Sequence, residues 1–366
     1  MAEEHTDNVL SDQVLRWAAD AVDGTSVVSA ESLGSGGHRA SGTFRLRIEG
    51  PAAPATDVIL KVPVPGWIRD VWVITNARAL QRAETHGLAA PRLIAADLDG
   101  SASGTVATLE TFLSGSADLP PTVTVARLRE AGAAIARVHA VSMAPRARLA
   151  EEQDRMLAAV LRAVLDDPEL ALSAAQRDVA PLVARRHLSG LPLPYRSRPC
   201  AVDDRAAERR RGSMPTTPLL QEADERVRSH GVPSATSVFL HGDVWAGNML
   251  WDGDRCVALI DWKTAGVGDP GVDLGGLRMQ MAVQYGQDAA AHVLEGWERQ
   301  AGRPAIAMPY WDAVAALTTS TTATDPDFPG FADDGGPLDA AAITERRDTF
   351  LRNALDQLPA RTGRVR

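Results

Sequence analysis

Cysteine is nearly missing from this chain: two in 366 residues, Cys200 and Cys256. Two are too few for a disulfide framework, and neither stands at a metal-ligand spacing. A reducing compartment, the cytoplasm, is the expectation. Long apolar runs are missing too. No stretch reaches the roughly 18 residues of a membrane span, so no membrane partner is expected. The opening MAEEHTDNVLSDQ is polar and acidic, without the basic start and apolar segment of a secretory signal. Positive charge is in the minority: 38 Lys and Arg against 47 Asp and Glu leave a net charge of -9. That argues against a nucleic-acid partner, whose phosphates call for basic patches. It is compatible with a cationic small molecule, and equally with an acidic surface that serves solubility alone. The chain has no internal repeat and no low-complexity tail.

What is present suits a globular enzyme. Hydrophobic residues make up 45% and charged residues 23%, ordinary values for a packed, water-soluble domain, and the length allows two cored lobes. Residues 9–22 have the apolar spacing of an amphipathic helix. They are followed by a strand, a glycine-rich turn, a strand, a Pro/Ala loop and the short apolar strand DVILKV. Residues 69–86 read as a helix stopped by Gly87. Two strands around a Gly/Ser turn end near residue 113, and SGSADLPP reads as a linker. Beyond about residue 122 helical patterns dominate, including 150–186. The chain is thus expected to divide into a β-rich unit, 1–113, and a larger, mostly helical unit, 114–366.

The chemistry concentrates in FLHGDVWAGNML and the following VALIDWKTAGVGDPGVDL. Asn248 lies five residues after Asp243, and Asp261 ends an apolar run. A strand from Asn248, a turn at Asp252 and Gly253, and a returning strand from Cys256 to Ile260 would bring Asp261 back beside Asn248. Such a pair offers hard oxygen ligands for Mg2+ bridging nucleotide phosphates, with Asp243 placed to orient an attacking hydroxyl and take its proton. The Asp-to-Asn spacing is that of the H-R-D-x-x-x-x-N pattern of protein kinases, with Gly242 in place of the Arg. Asp and Asn also serve as turn caps, but three of them in this spacing are better explained by phosphoryl transfer.

In this form the segment from His241 to Leu274 resembles the aminoglycoside phosphotransferase and choline kinase-like family. The likeness is more diffuse over the rest of the chain. The resemblance implies a two-lobed α+β fold of protein-kinase type. It implies ATP or GTP as phosphoryl donor, Mg2+ held by Asn248 and Asp261, Asp243 as the catalytic residue, and a small-molecule hydroxyl as acceptor. An antibiotic such as an aminoglycoside, a macrolide or a cationic peptide comes first. A choline- or homoserine-like metabolite is the alternative. His241 takes a supporting role, Asp269 is expected to accept N–H groups of the catalytic loop, and Asp273 to cap a helix starting at Leu274.

In the N-terminal unit Lys61 matches the lysine that pairs with nucleotide phosphates. Gly34, Ser35, Gly36 and Gly37 form a turn whose N–H groups suit phosphates. Backbone groups around Glu110, Thr111 and Phe112 match the segment that meets a purine base. Two residues depart from the family pattern. Asn76 stands where a helix Glu should hold Lys61, with Asp70 and Glu84 as candidate replacements, and this leaves open a non-catalytic or repurposed kinase fold. Lys263 stands where an acidic residue is usual, set either to form a salt bridge or to oppose Mg2+. The arginine cluster Arg209, Arg210 and Arg211 and the acidic loop holding Asp325, Asp327, Asp333 and Asp334 read best as solvated surface.

Overall fold

The structure, a computed structural model, describes residues 10–33, 42–50, 54–63, 67–143, 195–196, 216–233, 237–319 and 338–358. The glycine-rich turn 34–38, the helical stretch expected over 150–186, the arginine cluster and the acidic loop lie outside these residues. The described residues fall into two compact units, divided between Ser114 and Gly115. None of their helices is long and apolar enough to cross a membrane.

The first unit opens with helix α1 (Asp12–Asp20), whose N-terminus is capped by the Ser11 hydroxyl accepting from the Val14 N–H. Five antiparallel strands follow: β1 (Ser26–Ser32), β2 (Thr43–Glu49), β3 (Thr56–Lys61), β4 (Leu93–Asp97) and β5 (Ala107–Thr111). They are ordered β1-β2-β3-β5-β4. The strands alternate with period two. Phe44, Leu46, Ile48, Val58, Leu60 and Leu109 turn to one face and pack on Val14, Ala18 and Ala19 of α1. Burying each large aliphatic side chain contributes roughly 1.5–3 kcal/mol. The opposite face carries Arg45, Asp57, Lys61, Thr108 and Glu110.

Helix α2 (Trp67–Thr85) joins β3 to β4. It stops where the sequence places the stop. Gly87 has φ +63°, and the Leu88 N–H closes on the Ala83 carbonyl at 2.9 Å, a C-terminal motif that favours glycine. The Gly/Ser turn between β4 and β5 is held from within. The Asp97 carboxylate accepts the N–H groups of Gly100, Ala102 and Ser103 and the Ser103 hydroxyl.

The second unit contains α3 (Val125–His139), α4 (Pro218–His230), and a segment of short strands: β7 (Val238–Leu240), β8 (Met249–Asp252), β9 (Arg255–Leu259) and β10 (Gly266–Gly268). Strand β10 runs between β7 and the two-residue β6 (Tyr195–Arg196), and β8 pairs with β9 as a hairpin. Helices α5 (Gly271–Tyr285), α6 (Gln287–Ala301), α7 (Met308–Thr318) and α8 (Ala340–Gln357) complete it. Trp262, Trp297 and Trp311 are its largest fully buried side chains. The antiparallel pairing of Gly266 with Leu240 sets the chain after Asp261 beside the chain before His241. The site depends on that juxtaposition.

Candidate active site

All three residues of β7 are buried, and they deliver the chain into the loop that starts at His241. Phe239 stacks on Trp262 with centroids 5.4 Å apart, and the His241 ring packs on the same indole at 4.4 Å. His241 Nε2 lies 2.9 Å from the Ile260 carbonyl, and the Asp243 N–H approaches Nδ1 at 3.4 Å. Those partners assign the proton to Nε2. Burial holds the imidazole below its usual pKa, against the pull of Asp273 and Asp243. A neutral, fully buried histidine tying the loop to the strand after it is the supporting role expected of His241.

Gly242 has a geometric reason. Its φ is +84°, and a Cβ there would lie 2.1 Å from the Thr264 carbonyl oxygen. An arginine, as in protein kinases, has no room where the loop meets the Thr264 backbone.

Two expectations are corrected. The carboxylate that accepts the loop's N–H groups is Asp273, not Asp269. Asp273 takes the His241 N–H at 2.8 Å and the Gly242 N–H at 2.9 Å. His139 Nε2 adds a third donor at 3.1 Å, its own Nδ1 accepting from the Trp297 indole N–H. Burial works to raise the Asp273 pKa, but His139 and the Gly242 N–H outweigh it and hold the carboxyl below its ordinary range. Asp269 instead holds the start of α5, accepting the Gly271 N–H at 2.6 Å. That helix begins at Gly271, so Asp273 sits within its first turn, one helical step further round and aimed back at the loop. With less of its charge satisfied, Asp269 is pushed by burial up to about 6. The second correction concerns Asn248. It closes a short 3-10 turn (Ala246–Asn248), and β8 starts one residue later.

The β8–β9 hairpin folds as its turn residues require, and the Ile260 N–H reaches the Asn248 carbonyl at 2.9 Å. Asp261 follows with φ +63°, a left-handed conformation that Asp tolerates better than most residues and that concentrates at functional sites. Asn248 Nδ2 donates to the Asp243 carbonyl at 2.8 Å and approaches Asp243 Oδ2 at 3.4 Å, so both contacts are made through the amide nitrogen. Lys263 Nζ bonds Asp261 Oδ2 and stands 3.7 Å from Asp243 Oδ2. Asp243, Asn248, Asp261 and Lys263 therefore form one cluster, its charged members each about 30% exposed. Burial raises the Asp243 pKa, with Lys263 pulling the other way.

One supporting residue escaped the sequence reading. Gln280, buried in α5, accepts the Ala246 N–H at 2.9 Å through Oε1 and pins the middle of the loop. A lone Gln inside a helix pattern carries no signal that could have found it.

In the first unit Lys61 ends β3 with its side chain 10% exposed. Asn76 Oδ1 lies 3.4 Å from its ammonium, and Glu110 Oε1 lies 3.7 Å from it. Glu84, one of the two replacements considered, is exposed. Thr108, the cross-strand partner of Lys61, has a buried hydroxyl with no hydrogen-bond partner among the described residues. Phe112 lies under the Arg45 guanidinium at 4.3 Å.

Residues 35–317 match the profile of the phosphotransferase enzyme family. The chain belongs to that family. Its fold is the kinase-like α+β fold. A viomycin phosphotransferase from Streptomyces vinaceus is 36% identical over 72 residues, which is 18% of this chain and 24% of that protein. The match thus spans about a quarter of this relative's length. Two solved structures share the fold. A protein from Ralstonia eutropha, provisionally designated an aminoglycoside phosphotransferase, superimposes with TM-score 0.56 at 16% identity, covering 94% of this chain and 96% of that one. A macrolide 2'-phosphotransferase from Brachybacterium faecium gives TM-score 0.50 at 19% identity, covering 97% and 100%.

Proposed function

We propose that this phosphotransferase moves the terminal phosphoryl group of ATP or GTP to a hydroxyl of an antibiotic, with Mg2+ as cofactor. The observation that carries the reading is the convergence of Asp243, Asn248 and Asp261 within one loop-and-hairpin unit. The donors fit a hard cation: a carboxamide oxygen and a carboxylate, all oxygen. Among the described residues no three His, Cys, Asp or Glu side chains gather to cage a metal, so phosphate and water oxygens would complete the shell, as is usual for Mg2+. Such an ion neutralises charge on the transferring group.

The chain's own residues supply the rest. Lys61 holds donor phosphates, and Phe112 and the backbone near Glu110 meet the base. Asp243 accepts a hydrogen bond from the acceptor hydroxyl and so directs its oxygen at the terminal phosphorus. The new P–O bond forms as the bond to the leaving nucleoside diphosphate breaks, and the hydroxyl proton passes to the Asp243 carboxylate. Its burial makes that carboxylate a better proton acceptor than a solvated one. The names of the relatives point to antibiotics as acceptors, and the net charge of -9 suits a cationic one.

Calorimetric titration with ATP and GTP, with and without Mg2+, tests the reading. Nucleotide binding that Mg2+ strengthens is expected, followed by transfer of one phosphate to an antibiotic in a mass-spectrometric screen. Absence of binding for both nucleotides would refute it. Lys263 provides a second check. Because it already occupies the Asp261 carboxylate, it competes with the metal. Replacing Lys263 with Met should lower the Mg2+ concentration for half-maximal effect by about three- to tenfold, the equivalent of roughly 1 kcal/mol. An unchanged requirement would mean that Lys263 swings clear at no cost.

A further inference from the structure

We infer that Glu110, on the sheet, contributes negative charge that holds Lys61 for the nucleotide, and that Asn76 is the hydrogen-bonding bridge between them. The inference rests on the proposed nucleotide-binding role of Lys61.

The register explains how Glu110 reaches it. Strands β3 and β5 pair antiparallel, with Lys61 opposite Thr108 and Ile59 opposite Glu110. Lys61 and Glu110 are therefore diagonal neighbours on one face, a separation that two long side chains can span. Both are buried, Lys61 at 8% exposure and Glu110 at 2%. A buried ammonium without a carboxylate would be costly. The ion pair alone is loose, 3.7 Å from Nζ to Oε1. Asn76, fully buried in α2, fills the gap. Its Nδ2 donates to Glu110 Oε1 at 2.7 Å, while its Oδ1 accepts from Lys61 Nζ at 3.4 Å.

Only an amide can do both. A carboxylate at position 76 has no N–H to give Glu110 and would place two negative charges within hydrogen-bonding distance of each other. Asn76 is thus the residue that Glu110 requires. Because Lys61 and Glu110 sit on neighbouring strands of one sheet, their pairing is set by strand register and does not depend on where α2 lies.

The exchange of amide and carboxylate tests this with side chains of unchanged size. E110Q should weaken binding of the Mg2+ complex of ATP or GTP about tenfold, the loss typical of a charge-assisted contact. N76D should lower the melting temperature, since two carboxylates then face each other. The double variant N76D/E110Q restores one carboxylate and one amide with the bridge reversed, and its affinity should return to within about threefold of wild type. A second readout needs no nucleotide. Reductive methylation of Lys61, followed by mass spectrometry at neutral pH, should run about tenfold faster in E110Q, because losing a neighbouring carboxylate leaves more of the amine neutral, and return towards the wild-type rate in the double variant. If wild type binds nucleotide and E110Q, still folded, binds equally well, the inference fails alone. It fails likewise if the double variant stays as weak as E110Q or if methylation of Lys61 is unchanged. If wild type binds no nucleotide at all, the phosphotransferase reading fails and this inference with it.

Discussion

Replacing Asp243 with alanine is expected to lower turnover by about 10²- to 10⁴-fold, the usual contribution of a positioned proton acceptor, while nucleotide affinity stays near wild type. The carboxylate is raised in pKa by burial and stands next to Asn248 and Lys263, so its removal deletes the group that aims the hydroxyl. It leaves Lys61 and its partners untouched, because they belong to the first unit. The loss should therefore fall on kcat and not on the KM for ATP or GTP. A side effect distinguishes this account from general damage to the loop. With Asp243 gone, Lys263 still holds Asp261, so the Mg2+ requirement should rise, and the further change K263M should reverse that rise. Steady-state kinetics across a Mg2+ series measures both. Turnover within tenfold of wild type would remove Asp243 from the mechanism.

The largest effect on stability is expected at Asp273. Its two oxygens satisfy three buried donors: the N–H groups of His241 and Gly242 and the Nε2 proton of His139. An Asn there is nearly isosteric, but its NH2 must face at least one of these donors. Breaking a buried charged network in this way costs about 3–5 kcal/mol, which lowers Tm on the order of 10 °C for a unit of this size. The pH dependence has a definite sign. Because the folded pKa is held down, Asp273 contributes its full stabilisation above the unfolded value of about 3.9. That contribution is lost as pH falls through the lower folded value. The stability gap between wild type and D273N should therefore be wide at neutral pH and narrow in strong acid. Thermal melts of both proteins across pH report it. Equal melting temperatures at neutral pH would show that the loop is anchored elsewhere. Activity should fall with stability, since the same carboxylate fixes the backbone from which Asp243 projects.

Much of this was legible because it is local. The turn Asp252-Gly253 and the two apolar strands around it decide that the chain doubles back, and doubling back suffices to carry Asp261 to Asn248. The Gly87 stop and the period-two alternation of Phe44, Leu46 and Ile48 are of the same kind: backbone preferences and burial patterns that act over a few residues. The exchange of roles between Asp269 and Asp273 was not legible. The two lie four residues apart, and either could face the loop until the start of α5 is fixed at Gly271.

The sequence by itself determined the α+β division, the faces of the strands and helices, and the spacing of Asp243, Asn248 and Asp261, since periodicity, turn chemistry and chain length are written in it. It also set Asn76 and Glu110 in place, thirty-four residues apart, without any sign that they belong together. Only the tertiary structure decided that Glu110 answers Asn76 at Lys61, that Lys263 bridges Asp243 and Asp261, and that Gln280 holds the loop. A repeat of two or of 3.6 residues fixes which way a side chain points. Which side chain it meets depends on strand register and helix placement, and those are settled by the packing of the whole unit.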